Sequence, residues 1–303
     1  MVMDYLGELR SLIDRHARPD MTTPIEGVFV ARIETEESAP SMSGSVMALI
    51  AQGGKRIVLG DRVYEYGPGQ YLIASVDVPV TGHFIDASPK HPALGFGLML
   101  QPAAIADLLL QAAPGSVPAS SSLAPSSLGV SDASSDLLDA VVRLLRLLDQ
   151  PRDIAVLAPI FKREVLWRLI DGAQSAAVRQ LGLADSHVSQ IARAVRWIRE
   201  HYAEAVRVED LARLSGMSVS AFYRNFQAVT AMSPIQFQKQ IRLQEARLLL
   251  AANPKDVTSV GFRVGYESAS QFSREYRRQF SRPPSEDALL LRSKPSAAAA
   301  AFG

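Results

Sequence analysis

The spacing of apolar residues changes repeatedly along this chain, and each change marks a region. From Tyr5 to Arg15 the residues Tyr5, Leu6, Leu9, Leu12 and Ile13 fall on one helical face, which predicts a short amphipathic helix. From Val28 to Leu100 the texture becomes short apolar runs divided by Gly, Pro and Asp: Val28 to Ile33, Val46 to Ile50, Arg56 to Leu59, Val63 to Tyr66, Tyr71 to Ala74, Val78 to Ile85 and Leu94 to Leu100. Such runs, with turn signals at Gly53-Gly54, Gly60-Asp61 and Gly67-Pro68-Gly69, predict a β-sandwich or small barrel, preferably a jelly roll. Alternation sets Tyr64 and Tyr66 on one strand face and puts His83 with Ile85, opposite Phe84.

Beyond Gln111 the chain turns rich in Ser, Ala and Pro, with nine serines among the 20 residues from Ser116 to Ser135, and reads as a mobile loop. Asp136 to Asp149 then carries Leu137, Leu138, Val141, Val142, Leu144, Leu145, Leu147 and Leu148, more apolar surface than a one-sided helix needs. Such a helix must be buried twice. Either Leu137, Leu138, Val141, Leu144, Leu145 and Leu148 pair two copies of the chain, or the helix lies wholly inside one subunit. Pro159 to Ile170 predicts another helix, ended by Gly172, and Ile191, Ala194, Val195, Ile198 and Tyr202 mark a further periodic one. After Pro284 the chain drifts into Ser, Lys, Pro and five consecutive alanines, so residues 287–303 are expected to be disordered.

The region from Val208 to Pro284 contains an internal repeat. Ala212-x3-Gly216-x5-Phe222-x-Arg224-x-Phe226 returns as Gly261-x3-Gly265-x6-Phe272-x-Arg274-x-Tyr276. In each copy a small residue lets two helices approach, and a glycine supplies the positive φ of a tight turn. The aromatic pairs, four apart, point inward, while Arg224 and Arg274 point outward. Each copy reads as a helix-turn-helix presenting an arginine-bearing helix. Ser233-Pro234-Ile235-Gln236 is a capping box and Asn253-Pro254 a stop, so one helix of about 19 residues, roughly 28 Å, should join the copies. Adjacent major-groove faces on one side of B-DNA lie about 34 Å apart. Spacer and duplication therefore point to double-stranded DNA.

Charge agrees with that reading. The net charge of +1 hides fifteen Lys/Arg against nine Asp/Glu between His187 and Glu286, with an acidic remainder. The chain has no cysteine, which excludes disulfides, thiol redox sensing and Cys-ligated zinc. Asp4, Glu8, Arg10 and Asp14 interrupt the apolar residues at the start, and no stretch approaches 18 uninterrupted apolar residues, so neither a signal peptide nor a membrane span is expected and the location is expected to be cytoplasmic, at the nucleoid.

From Ile191 to Pro284 the sequence resembles the DNA-binding domain of the AraC/XylS family of bacterial transcription regulators. The resemblance is carried by Leu211-Ala212, Gly216-Met217-Ser218, Thr230-Ala231-Met232-Ser233-Pro234, Arg242-Leu243, Ala246-Arg247, Gly261-Phe262, Gly265-Tyr266 and Arg282-Pro283-Pro284. Gln227 and Ala228 stand where that family usually has basic residues, and Ala231 replaces a common glycine. Pro24-Ile25-Glu26-Gly27 through Asp86, and Pro159 to Ile170, are similar to the subgroup related to the aldehyde-responsive regulator YqhC. The resemblance implies an α+β protein: an N-terminal cupin-like β-barrel with a helical dimerisation segment, and an all-α domain of two helix-turn-helix units joined by a linker helix. The expected boundaries are 1–170 for the sensor and dimerisation domain, 171–187 for a linker, and 188–286 for the DNA-binding domain, with helix-turn-helix units at 208–229 and 257–280.

Candidate residues follow. Ser218, Ser220, Ala221, Tyr223, Arg224 and Gln227 should face outward from the first recognition helix, and Ser268, Ser270, Gln271, Ser273, Arg274 and Arg277 from the second. Arginine can fork onto guanine, glutamine pairs with adenine, and serine reaches phosphates or base edges. The resemblance makes Arg224 and Arg274 the base readers, while Arg277, Arg278 and Arg282 suit phosphates. Gln271 also completes a capping box with Ser268. Tyr64, Tyr71, His83 and Phe96 are candidate walls of an effector pocket, or simply core. A metal-dependent cupin needs a His-x-His pair with a carboxylate and a later His, whereas only His83 and His91 fall in this region, so neither metal, cofactor nor catalysis is expected. The expected partners are DNA, a small-molecule effector, a second copy of the chain and, for an activator, RNA polymerase. The competing reading gives the N-terminal domain a protein partner and no small ligand.

Overall fold

The computed structural model describes residues 4–36, 39–112, 126–183, 186–252 and 256–293. Helix α1 (Tyr5–His16) starts where the Asp4 carboxylate accepts from Gly7 N at 2.9 Å, and it buries Leu9, Leu12 and Ile13. Among the described residues nine strands follow: β1 (Val28–Ile33), β2 (Ala39–Ser43), β3 (Val46–Gln52), β4 (Gly54–Leu59), β5 (Arg62–Tyr66), β6 (Gln70–Ala74), β7 (Val78–Ile85), β8 (Ala93–Met99) and β9 (Leu128–Asp132). The antiparallel pairs are nested, β1 with β8, β2 with β7, β3 with β6 and β4 with β5. A long hairpin rolled on itself in this way is a jelly roll. Pairing of β3 with β8 and of β4 with β7 completes a five-stranded sheet, β1-β8-β3-β6-β9, and a four-stranded sheet, β2-β7-β4-β5.

The sheets are not joined into the closed barrel expected from the sequence; they face each other as a sandwich and meet through side chains. Register puts Val28, Val30, Met47, Leu49, Tyr71, Ile73, Phe96 and Leu98 on one face of the larger sheet, where α1 packs over β1, β3 and β8. The opposite face offers small groups, Ala31, Ala48 and Gly95, to the second sheet, which sends Lys55, Ile57, Tyr64, Tyr66 and Phe84 between the layers. Bulky residues of one sheet thus fill the space left by small residues of the other. Among the described residues the void left there is only about 10 Å³, room for one water at most.

Four helices form the next layer: α2 (Pro102–Gln111), α3 (Ser135–Arg146), α4 (Ile154–Ile170) and α5 (Ser175–Gly182). Helix α3 is doubly buried, as its composition requires, but within one chain. One side packs on α1 and the other on α4, which takes Leu137, Val141, Leu144 and Leu145 into the core and half-buries Leu138, while Leu148, in the turn after α3, is buried as well. The six residues considered for pairing two copies therefore present no free face. Arg146 pairs with Glu8 of α1 at 2.6 Å, and Arg143 joins Asp139 to Glu164 of α4.

Other boundaries differ from the sequence reading. Helix α4 starts at Ile154, five residues before Pro159, because a proline in the second turn removes only one backbone hydrogen bond, to a carbonyl on the exposed side at Ala155. The expected linker contains α5. The serine-rich segment includes β9, which pairs with β6, while its residues 113–125 lie outside the described residues. Strand β2 and helix α2 were not anticipated.

The remaining helices are α6 (His187–Glu200), α7 (Val208–Leu214), α8 (Val219–Thr230), α9 (Pro234–Ala252), α10 (Val257–Arg263), α11 (Ala269–Phe280) and α12 (Pro284–Ser293). Helix α12 occupies the start of the tail expected to be disordered; residues 294–303 and the Asn253-Pro254 stop lie outside the described residues.

Candidate nucleic-acid interface

Helices α7 and α8 form the first predicted helix-turn-helix, α10 and α11 the second, and α9, with the expected 19 residues, joins them. Each turn rests on a glycine of positive φ, +67° at Gly216 and +91° at Gly265. At Gly265 there is also no room for a side chain, since a Cβ would fall 2.3 Å from Ala203 O. Gly261 lies against the Phe272 ring, so the small residue allows the close approach its spacing suggested.

The recognition helices are fixed from below. Phe222 and Phe226 are fully buried, and Phe226 meets Phe237 of α9 edge to face at 5.5 Å. Phe272 and Tyr276, fully buried under α11, meet each other edge to face at 5.5 Å. The Tyr276 hydroxyl donates to Asp287 of α12 at 2.8 Å, and Arg247 of α9 holds that carboxylate at 2.8 Å while lying over the Phe280 ring. Burial, with the adjacent carboxylate, pushes the Tyr276 phenol well above its ordinary range. Burial alone would raise Glu275, but Lys239, Tyr266 and Gln271 donate to it and hold its carboxyl below the usual range. Arg242 of α9 ties the turn of the second unit to the loop between α6 and α7: its guanidinium donates to Tyr202 O at 2.7 Å, Gly265 O at 2.8 Å and Glu204 O at 2.9 Å. Neither Asp287 nor Arg242 was singled out for this role. Pro284 followed by Glu286 and Asp287 was the signal of a helix start that could have extended the domain past 286.

With the inward faces locked, the outward faces carry the predicted residues. Ser218, Ser220, Tyr223, Arg224 and Gln227 are exposed on or beside α8, and Ala221 is half-buried. On α11, Ser270, Gln271, Arg274, Arg277 and Arg278 are exposed, and Ser268 and Ser273 half-buried. Two serines have structural work. Ser218 accepts from Ala221 N at 3.3 Å and Ser268 from Gln271 N at 3.5 Å as helix caps. The Gln271 amide donates to Glu275. Among the described residues Arg224, Arg274, Arg277 and Arg278 form no ion pair, leaving their fork-shaped donors facing water.

The four candidate effector residues do not converge. Tyr64 points between the sheets, its hydroxyl 3.1 Å from Ser126 Oγ. Tyr71 and Phe96 share the opposite face of the larger sheet, under the helices, where burial raises the Tyr71 phenol. His83 pairs with Arg56, on the outer face of the smaller sheet. Period-two alternation gave the faces within each strand, but not which face of each sheet turns inward.

A jelly roll followed by two helix-turn-helix units on one connecting helix defines a two-domain regulator architecture. Residues 24–177 match the model for the N-terminus of AraC-type transcriptional regulators, and residues 211–288 match a helix-turn-helix domain. The chain belongs to the AraC family of transcriptional regulators. It is 30% identical over 113 residues to the transcriptional activator RhaS of Enterobacter sp. (strain 638), covering 37% of this chain and 40% of RhaS. It is 26% identical over 151 residues to YdeC, an HTH-type transcriptional regulator of Bacillus subtilis (strain 168), covering 49% and 51%. The chain thus spans about half the length of the curated relatives it matches. Among solved structures it is similar in fold to ToxT of Vibrio cholerae, as an apo point variant (TM-score 0.55, 10% identity, 88% of this chain and 98% of that one) and as the wild type with an unsaturated fatty acid bound (TM-score 0.52, 11% identity, 89% and 96%).

Proposed function

We propose that this protein is a sequence-specific, double-stranded-DNA-binding transcription regulator, working at the nucleoid without catalysis, whose N-terminal domain receives an effector. The supporting observation is the pair of outward arginines, Arg224 and Arg274, on two buried-backed recognition helices held by one 19-residue helix. At about 1.5 Å per residue, that helix suits recognition of successive major-groove turns. Arg224 and Arg274 read bases; Arg277, Arg278 and Arg282 grip phosphates; Ser220, Tyr223, Gln227, Ser270 and Ser273 fill in the contact.

A small-molecule effector is supported by the fatty acid held by ToxT, a protein of the same fold. The nearly filled sandwich interior argues against a ligand between the sheets, and favours either a site elsewhere on the domain or the second reading, a protein partner. Pairing of two copies, and contact with RNA polymerase by an activator, belong to the same proposal, with α3 no longer the pairing face.

Genome-wide crosslinking of bound DNA tests the reading. The intact chain should give sharp peaks sharing an extended motif, and Arg224→Ala/Arg274→Ala should erase them; diffuse occupancy unaffected by the double substitution would refute it. In titrations at several salt concentrations, Arg278→Ala should weaken all sequences alike and reduce the salt slope by about one.

A further inference from the structure

A well-formed cleft lies outside the sandwich. It has a volume of about 390 Å³ and runs between α4, the start of α2 and the end of β8. That is within the range of small-molecule sites, roughly 300–1,000 Å³, and far above the 10 Å³ between the sheets. Its floor is buried Leu98 and Leu166; Met99 and Ile160, 40% and 56% exposed, leave large apolar surfaces to water on its walls.

The polar groups gather at the rim. Lys162 donates to the backbone oxygen of Glu26 at 3.0 Å, and among the described residues no carboxylate lies within ion-pair distance of it. Arg163, beside it, is matched by Asp107 at 2.6 Å. Helix α2 opens onto the cleft without a side-chain cap and without an acidic residue in its first turn. Pro102 at its first position has no N–H, but the amides of Ala103 and Ala104 have no intrahelical acceptor, and the positive end of the helix dipole adds to the Lys162 ammonium. The Glu26 side chain opposes them, so the field favouring an anion comes from two sources against one.

We propose that this cleft binds a small apolar molecule ending in a carboxylate, its body on Leu98, Met99, Ile160 and Leu166 and its charge between Lys162 and the start of α2. The proposal rests on the reading of the chain as an effector-responsive regulator. It also supplies a route to the DNA-binding domain. Helices α2 and α4 both pack on α5, α5 packs on α6, and α6 on the first recognition helix. The α2–α5 contact is tight, because a Cβ on Gly182 would fall 2.8 Å from Ala106 N. An occupant that parts α2 from α4 must move α5.

Titration of decanoate into the full chain, followed by calorimetry, tests the site. One saturable site is expected, weakened about tenfold by Lys162→Gln, the loss of one charge-assisted hydrogen bond, and abolished by Ile160→Trp, which fills the cleft from an exposed position. Decanol should bind more weakly than decanoate, and Tyr64→Phe, between the sheets, should change nothing. Absence of saturable binding, or binding indifferent to both cleft substitutions, overturns the site. DNA affinity, measured with and without decanoate, should differ about fivefold or more; equal affinities overturn the coupling. Because the same titrations report DNA binding without decanoate, a protein that binds DNA but not decanoate refutes this inference alone, and one that does not bind DNA refutes the reading beneath it.

Discussion

The first helix-turn-helix unit leans on the sandwich, and the second leans on α12. At the end of α8, Val229 O accepts from Ser127 N at 3.0 Å, Ala231 stands against Gly60 in the β4–β5 turn, and Arg199 of α6 pairs with Asp77 nearby. At α11 the support is Asp287, Arg247 and Tyr276, all from the same domain. The outward charge differs as well, since α8 carries Arg224 followed by Gln227 and Ala228, while α11 carries Arg274, Arg277 and Arg278. One repeated pattern thus yields a unit in contact with the N-terminal domain and a unit with the greater outward positive charge.

The largest expected effect separates their supports. Asp287→Ala leaves the half-buried Arg247 guanidinium and the Tyr276 hydroxyl without their acceptor, and should cost about 3 kcal/mol. Hydrogen exchange should show protection lost across α11 and α12 and kept in α8; equal loss in both units would mean that they share one support. A smaller effect separates their roles on DNA. Arg274→Ala should cost about 2 kcal/mol of specific affinity, within the 1–3 kcal/mol of a bidentate base contact, and Arg224→Ala about 1 kcal/mol, because fewer basic neighbours hold α8 to the backbone. Paired titrations decide it, and a larger loss at Arg224 would reverse the ranking of the two units.

The contact with the sandwich can be disturbed on its own. Gly60 has φ +61°, and a Cβ there would lie 3.0 Å from Ala231 O. Gly60→Ala therefore combines a left-handed backbone, unfavourable by about 1–2 kcal/mol for an L residue, with a push on the end of α8. Exchange should quicken at 227–233 and not at 272–280. If both segments stay unchanged, the first unit does not depend on the sandwich.

The repeat made the second domain legible in the sequence. Gly216, Gly265 and the aromatic pairs fix turns and inward faces by local rules, so the outward residues follow. The N-terminal domain was legible as strands but not as a site, because alternation assigns Tyr64, Tyr71, His83 and Phe96 to strand faces and leaves the choice of inward face to the packing of whole sheets. The apolar excess of α3 correctly required two buried sides, yet composition cannot say whether the second partner is α4 or another chain. Strand β9 was missed since Leu128 to Asp132 gains its order from β6, a pairing across more than fifty residues that no local signal records.

The smallest effect compares the two units at one equivalent position. Both recognition helices end on a residue other than glycine in the left-handed region, Ala231 at φ 57° and Ser281 at φ 59°. Glycine relieves that backbone but adds freedom to the unfolded chain, so the net gain should be about 0.5–1 kcal/mol. Ser281 is exposed, and Ser281→Gly should realise this gain in full. Ala231 is half-buried against the sandwich, so Ala231→Gly also gives up methyl packing, worth up to about 0.8 kcal/mol for full burial, and should gain less than Ser281→Gly. Urea unfolding of both variants measures the difference. A gain at Ala231 equal to or larger than that at Ser281 would show that the contact with the N-terminal domain contributes nothing to the end of α8, and the contrast between the two units would then rest on their arginines alone.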